Sequence, residues 1–144
     1  MLTLATLTLT PGPDTVAQAL TWLEQVAWGR HWPQRTVFAL QLCLDEALTN
    51  TVMHGFANAA IPSPRIALSL HADNQVLALD ITDNGPAFDP TRRQPADLAT
   101  SLDKATPGGH GIRLMQHYLH DFQYTYANGE NHVRMVVLLN PQKP

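Results

Sequence analysis

The sequence predicts an α+β fold, a two-layer sandwich with helices packed on one face of a mostly antiparallel sheet. Two long segments with helical spacing of apolar residues follow an alternating N-terminal segment. Two later pairs of alternating segments are each joined by a turn signal, and a further helical segment stands between the pairs. The chain has 144 residues, so we expect a single domain over residues 1–144.

The first strand is predicted at residues 2–9, where Leu and Thr alternate and a phase slip near Ala5 indicates a bulge. A Pro-Gly-Pro sequence ends it, and Asp14 is the predicted N-cap of a first helix that continues to Gly29. The tryptophans in and after this helix belong either to the core or to a partner surface. The N-terminal strand and this helix together predict an interface in a homodimer.

The second helix is predicted at residues 34–54, opened by a proline and ended by Gly55 as a C-cap in the left-handed conformation. Glu46, Asn50 and His54 recur every four residues among apolar neighbours, and α-helical spacing places them on one face. Burying a carboxylate and an amide is unfavourable unless they are paired or hold a ligand, so this row indicates a lined cleft. The alternative is the solvated face of an amphipathic helix.

A hairpin is predicted at residues 66–70 and 76–82, and its second strand leads into Asp83-Asn84-Gly85-Pro86-Ala87-Phe88. Residues 89–109 show no period, and an irregular segment of this length in a compact domain indicates a lid. A helix follows Gly108-Gly109-His110-Gly111, and a closing hairpin is predicted at residues 122–126 and 133–139, around an Asn-Gly turn.

Composition excludes several classes of protein. A hydrophobic content of 44%, a charged content of 15% and a net charge of −3 are typical of a soluble globular protein rather than a disordered or membrane one. The nine Lys and Arg form no basic stripe, so we expect no direct binding of nucleic acid. The uncharged N-terminal segment resembles neither a signal peptide nor a membrane span, and the single Cys43 allows no disulfide framework, so a cytoplasmic protein is expected.

Two stretches carry groups suited to a nucleotide. Gly108, Gly109 and Gly111 stand at the start of a predicted helix. Such glycines leave backbone N–H groups and the positive end of the helix dipole available to phosphate, although plain helix capping is the alternative. Asp83 ends a strand and is followed by Asn84 and Gly85, so it either binds a ligand or closes an Asx turn.

Taken together, three stretches resemble the nucleotide-binding boxes of the GHKL ATPase superfamily, which has the Bergerat ATP-binding fold. Glu46-x-x-x-Asn50 is similar to the N box, Asp83-x-Gly85-x-Ala87-Phe88 to the first glycine box, and Gly109-x-Gly111 to the second. Within the superfamily, the chain most resembles the bacterial anti-sigma-factor serine/threonine kinases of partner-switching pathways.

The resemblance implies a role for each matching residue. Glu46 matches the general base, Asn50 the Mg²⁺ ligand, and Asp83 the carboxylate that accepts a hydrogen bond from the adenine amino group. Arg92, Arg93 and Lys104 are implied as candidate contacts to the γ-phosphate, with solvated loop charge as the alternative. The positions implied to bind the cofactor are Asn50, His54, Asp83, Gly85, Phe88, Gly109, His110, Gly111 and Ile112.

The sequence departs from the family pattern at two places. Ala87 stands where a second glycine is frequent. Gly129-Glu130-Asn131 stands where the family commonly has Gly-Thr-Thr, so the hydroxyl that could support the nucleotide is missing. We therefore expect either a weaker affinity or a contact made in another way.

The implied function is that of an ATP- and Mg²⁺-dependent anti-sigma factor and serine kinase that phosphorylates an anti-sigma-factor antagonist. Its implied partners are this antagonist, a STAS-type protein carrying the target serine, and a sigma factor or another regulated target. Two alternatives stay open: a non-catalytic, ATP-dependent binding switch and a detached histidine-kinase catalytic domain. Glu46 disfavours the first, since a pure binding site needs no base. The second lacks a dimerising helix with a phosphoacceptor histidine ahead of the N box.

Overall fold

A computed structural model describes residues 1–92, 113 and 115–140. Within them, one sheet has five strands in the order β1-β2-β3-β5-β4, and every neighbouring pair is antiparallel. This arrangement confirms the predicted α+β fold. The strands are β1 (Leu2–Leu9), β2 (Ile66–Ala72), β3 (Val76–Asp83), β4 (Asp121–Ala127) and β5 (Glu130–Leu138).

The two long helices are α1 (Thr15–Ala27) and α2 (Gln34–Asn50), and they contribute apolar side chains to the same core as one face of the sheet. Alternate residues of β2 and β3 supply much of the sheet side, and each fully buried leucine contributes about 1.5–3 kcal/mol. A third helical segment ends at residues 115–118, and its Met115 is fully buried. The largest fully buried side chains are Leu23, Leu40, Leu44, Leu48, Ile66, Leu68, Leu70, Leu77, Leu79, Ile81 and Met115.

Thr36 fixes the start of α2 over the end of the sheet. Its hydroxyl lies 3.0 Å from the carbonyl oxygen of Leu138 and 3.1 Å from that of Leu139, and the side chain is buried. The helix therefore runs from this end of the sheet, with its last turn far along the axis from Thr36.

The opposite face of the sheet carries a charged pair at its centre. Arg134 donates two hydrogen bonds to the Asp80 carboxylate, at 2.7 and 2.8 Å, across paired positions of β3 and β5. The His71 and His132 rings lie 3.0 and 3.3 Å from the same carboxylate. This network joins β2, β3 and β5 on the face of the sheet opposite α1 and α2.

Local features of the strands match their sequence signals. The register of β1 against β2 shifts between Thr3 and Ala5, which confirms the predicted bulge. The Asn128-Gly129 turn has positive φ at both residues, 55° and 77°, as expected for a two-residue hairpin turn. The hairpin of β2 and β3 is also confirmed.

The start of α1 differs from the expectation in its chemistry. Asp14 occupies the N-cap position but makes no side-chain capping hydrogen bond. Thr15 is buried instead, and its hydroxyl accepts a hydrogen bond from the Gly12 N–H and donates one to the Thr10 carbonyl. This hydroxyl therefore fixes the turn between β1 and α1.

The predicted end of the second helix was wrong. The α-helix stops at Asn50, residues Thr51–Gly55 form one π-helical turn, and Phe56–Asn58 form a 3₁₀ turn. Gly55 has φ −96°, so it is not a left-handed C-cap. A π turn takes in one residue more than an α turn, which changes the face on which the following side chains lie.

Candidate functional site

A narrow cavity lies between the last turns of α2 and the ends of β3 and β5. Its volume of about 20 Å³ holds about one water molecule, so these walls admit only the polar edge of a larger ligand. The lining residues are Ala47, Asn50, Thr51, Gly55, Ile81, Asp83, Pro86, Phe88, Pro90, Asn131 and Val133.

Asn50 is the least satisfied polar residue in this cavity. The residue is 1% exposed, and neither its amide oxygen nor its amide nitrogen has a hydrogen-bond partner in the described part of the chain. A buried amide without partners is unfavourable by about 1–3 kcal/mol, so native proteins rarely keep one without a role. The amide is therefore suited to a ligand with both donor and acceptor groups, or to a cation that takes its oxygen.

Glu46 precedes Asn50 by one helical turn and is partly buried on the same side of α2. Its charge also acts on Cys43, three residues earlier. Burial, and then this negative charge, raise the pKa of the Cys43 thiol to about 12. The thiol therefore stays protonated near neutral pH and is not a competing nucleophile or metal ligand.

Asp83 is the last residue of β3 and is 6% exposed. Its Oδ1 accepts hydrogen bonds from the Gly85 N–H at 2.9 Å and from the Asn131 amide at 3.0 Å. Burial raises the pKa of the carboxyl group, the two donors lower it, and the charge of Glu130 raises it, with a net rise above its usual value. The contact from Gly85 confirms the Asx turn, and it uses one oxygen only, so the turn is compatible with a ligand on the other.

The neighbours of Gly85 leave little room for a side chain at this position. A Cβ at this position would lie 3.1 Å from the Asp83 Oδ1 and 3.3 Å from the Phe56 ring, closer than such contacts normally come. The missing side chain therefore lets the Gly85 N–H approach the carboxylate, and this loop also brings Phe88 to the cavity wall.

Asn131 was not predicted as a site residue, and it is the hub of this corner. It lies directly opposite Asp83 in the pairing of β3 with β5 and is 4% exposed. Its amide nitrogen donates to Asp83, Gly85 and Pro86, and its amide oxygen accepts from the Phe88 N–H and the Tyr124 hydroxyl. The pairing of β3 with β5 was the missing information, since only this register brings the two residues together.

The row of three polar residues expected on one α-helical face does not form. Glu46 and Asn50 keep α-helical spacing, but the π turn follows Asn50, so Gly55 lines the cavity and the His54 side chain is exposed. The Asn58 side-chain amide donates a 3.4 Å hydrogen bond to the His54 carbonyl, so the His54 ring takes no part in it. Nucleotide binding by the His54 side chain stays a prediction that this geometry does not favour.

Several predicted positions lie outside the described residues. They are Arg93, Lys104, Gly109, His110, Gly111 and Ile112, with most of the predicted lid at 89–109 and the side chain of Arg92. The second glycine box and the phosphate contacts implied by the resemblance therefore stay predictions.

A larger groove of about 760 Å³ lies at the other end of α2, and its lining includes Phe38, Tyr118 and His120. None of the predicted site residues lines it. The narrow cavity is the better candidate despite its size, because it combines the unsatisfied Asn50 amide with the Asp83 carboxylate.

Comparison with known proteins identifies the family of the chain. Residues 9–137 match the family described as the histidine kinase-like ATPase domain. The chain is 43% identical to the serine/threonine-protein kinase BtrW of Bordetella bronchiseptica over 130 residues, 90% of each protein. It is 27% identical to the serine-protein kinase RsbW of Listeria innocua, over 86% of this chain and 80% of that protein.

Among solved structures, the chain resembles a blue-light activated histidine kinase of Erythrobacter litoralis, with a TM-score of 0.57 and 19% identity. The match covers 88% of this chain but only 40% of that one, and it supports the fold alone. In the described part of the chain, no helix combines the length and apolar character needed to cross a membrane. The chain belongs to the histidine kinase-like ATPase family and, within it, to the serine/threonine-protein kinases, as the resemblance of its boxes predicted.

Proposed function

We propose that the chain acts as one ATP- and Mg²⁺-dependent kinase domain that phosphorylates a serine of a partner protein. The observation that carries the proposal is the buried, unpartnered Asn50 amide in a cavity that also contains the Asp83 carboxylate. The names of the relatives support serine as the acceptor, since RsbW is called a serine-protein kinase.

Asn50 suits the Mg²⁺ that accompanies a nucleotide. Its amide oxygen is a hard neutral ligand without a partner in the described part of the chain, and Mg²⁺ takes few protein ligands and keeps several waters. When bound, the ion offsets negative charge on the transferring phosphoryl group.

Glu46 is the proposed general base. It lies one turn before Asn50 on α2, on the same side of the helix as this cavity-lining residue. It accepts the hydroxyl proton of the substrate serine as that oxygen forms a bond to the γ-phosphorus, and the bond to the bridging oxygen of ADP breaks. Without this base, the chain would bind ATP and transfer no phosphate.

Asp83 is the proposed selector of adenine. An ionised carboxylate only accepts hydrogen bonds, so it pairs with the 6-amino group of adenine and repels the 6-carbonyl of guanine. Burial raises the pKa of the carboxyl, and a hydrogen bond from the amino group would lower it, since it favours the ionised form.

The proposed partners follow from the same resemblance. The kinase phosphorylates a STAS-type antagonist in the cytoplasm and binds a sigma factor or another target when the antagonist is phosphorylated. A homodimer through β1 and α1 is supported by two exposed apolar side chains, Leu2 (70% exposed) on the edge strand and Trp28 (85%) just after the helix. Sedimentation of the pure protein as a monomer at micromolar concentration would exclude the dimer.

The test of the function combines two assays on the same samples. Calorimetry measures Mg²⁺-dependent binding of ATP, and labelled γ-phosphate measures transfer to candidate antagonists. Asp83→Asn should lose binding, Asn50→Ala should lose the effect of Mg²⁺, and Glu46→Gln should bind ATP but transfer nothing. Asp45→Asn is the matched control, since it removes an exposed carboxylate from the same helix.

Each failure has a separate meaning. Absence of ATP binding by the wild type would remove the site assignment. Transfer by Glu46→Gln at the wild-type rate would remove the proposed base. Binding without transfer to any candidate, by a wild type that is otherwise active in partner binding, would favour the non-catalytic switch.

A further inference from the structure

Asn131 stands where the family pattern led us to expect a hydroxyl, and its contacts go beyond what a hydroxyl can make. The amide nitrogen donates to the Asp83 Oδ1 at 3.0 Å, to the Pro86 carbonyl at 2.9 Å and to the Gly85 carbonyl at 3.3 Å. The amide oxygen accepts from the Phe88 N–H at 3.1 Å and from the Tyr124 hydroxyl. A threonine hydroxyl has a single proton, so it could not serve these acceptors together.

The network fixes which end of the amide faces Asp83. The Phe88 N–H and the Tyr124 hydroxyl meet the oxygen, and three acceptors meet the nitrogen, so the reversed amide would oppose like groups at the Phe88 N–H and at all three acceptors. Tyr124 is important here because its hydroxyl is a side-chain donor that arrives from β4, the strand on the far side of β5. Three elements of the site therefore hold one side chain in one orientation.

This arrangement leaves the two oxygens of Asp83 unequal. Oδ1 accepts from Gly85 and Asn131, whereas no donor in the described part of the chain contacts Oδ2. Asp83 also lines the cavity. A donor group of a ligand can therefore bind to Oδ2. The two hydrogen bonds to Oδ1 fix the direction in which Oδ2 points.

We propose that Asn131, oriented by Tyr124, is the positioning residue that makes Asp83 selective for a 6-aminopurine nucleotide. The proposal rests on the proposed function, and it adds the group that determines base specificity in this chain. If the carboxylate were free to rotate, water or a protonated carboxyl could accommodate a 6-carbonyl. The two donors on Oδ1 favour the ionised form, and the remaining oxygen of an ionised carboxylate can only accept.

The test compares ATP with ITP, which has a carbonyl in place of the 6-amino group and is otherwise the closest purine. In calorimetry the wild type should bind ATP roughly ten- to a hundredfold more tightly than ITP, the range for a hydrogen bond to a charged group. Asn131→Asp keeps the side-chain size and replaces the donor with an acceptor, and it should bring the two affinities within about threefold of each other. Tyr124→Phe should lower the ratio severalfold.

Tyr126→Phe is the matched control, because it removes the same hydroxyl from the same strand at an exposed position. It should leave the ATP to ITP ratio unchanged. If Asn131→Asp does not fold, the test is the comparison of the ATP to ITP affinity ratio between Tyr124→Phe and Tyr126→Phe. A ratio that both Asn131→Asp and Tyr124→Phe leave at the wild-type value, with fold intact, overturns the proposal.

A second readout needs no nucleotide. Carbon NMR of the Asp83 carboxyl should show its pKa raised in Asn131→Asp, where a donor is lost and a like charge is introduced. If the wild type binds neither ATP nor ITP, the proposed function fails, and this titration still decides the positioning role. An unchanged pKa of Asp83 in Asn131→Asp then overturns it, and a raised one supports it.

Discussion

Replacing Asp80 with Asn should lower the free energy of unfolding by about 2 kcal/mol and leave phosphotransfer unchanged. Asp80 is 7% exposed and accepts two hydrogen bonds from Arg134, at 2.7 and 2.8 Å. Asparagine keeps the size but loses the charge and one acceptor, and hydrogen bonds between charged groups contribute about 1.5–3 kcal/mol each. The Arg134 side chain is 34% exposed, so water recovers part of its solvation and holds the loss below the value for a fully buried pair.

The assay is urea unfolding at neutral pH, with thermal unfolding as a second measure. For a chain of 144 residues, about 2 kcal/mol corresponds to a fall of roughly 5–8 °C in Tm. Glu130→Gln is the control, since the Arg65–Glu130 pair has a similar 2.7 Å contact but side chains that are 50% and 37% exposed. Exposed pairs of this kind contribute about 0–1 kcal/mol.

The dependence on pH follows from the pKa of Asp80. Burial raises this pKa, whereas the hydrogen bonds and charge of Arg134, and then those of His132, lower it. The lowering effects are larger together, so the pKa in the folded protein lies below the usual value. A lowered pKa gives stability that is present above the unfolded value and is lost as the pH falls through the folded value. The gap between wild type and Asp80→Asn should therefore close below about pH 4. The reasoning would be refuted if Asp80→Asn lowered the unfolding free energy at neutral pH by no more than Glu130→Gln does. It would also be refuted if the difference between wild type and Asp80→Asn persisted in acid.

Three further outcomes are expected from other parts of the chain. His54→Ala should change the Kd for ATP by less than about twofold, measured by calorimetry, because the side chain is exposed and does not line the cavity. Gly129→Ala should lower the unfolding free energy by about 1 kcal/mol in urea, since φ of 77° is unfavourable for a residue with a Cβ. Cys43 should react with a thiol reagent only on unfolding, because burial raises its pKa to about 12, and labelling kinetics in native buffer and in denaturant check this.

Most of the fold could be predicted because its signals are local. Alternation of Leu with Thr located β1 and its bulge, and Asn128-Gly129 located the last hairpin. The end of α2 could not be predicted in the same way. Helical spacing continues beyond Asn50, and only tertiary packing decides that the chain accommodates one extra residue in a π turn. Asp14 was correctly predicted as the N-cap residue of α1, but its side chain makes no capping hydrogen bond. The Thr15 hydroxyl instead makes hydrogen bonds with Thr10 and Gly12.

The resemblance assigned Asn50 and Asp83 to one nucleotide site from two separate boxes. Both residues line the narrow cavity, and their roles there stay predictions. Asn131 was noted only as a departure from the family pattern, because its importance depends on strand register between residues 48 positions apart. A sequence motif reports neighbours along the chain, whereas this contact is made across the sheet.

The π turn at Thr51–Gly55 makes the number of residues in this segment as important as their identity. Because a π turn takes in one residue more than an α turn over about the same rotation, removing one of the five would allow an α turn in its place, and the side chains beyond the deletion would keep their faces. Gly55 would then stay near the cavity wall. A relative that lacks the π turn should therefore be one residue shorter here, and an alignment that closes this gap would pair residues from different faces of the helix.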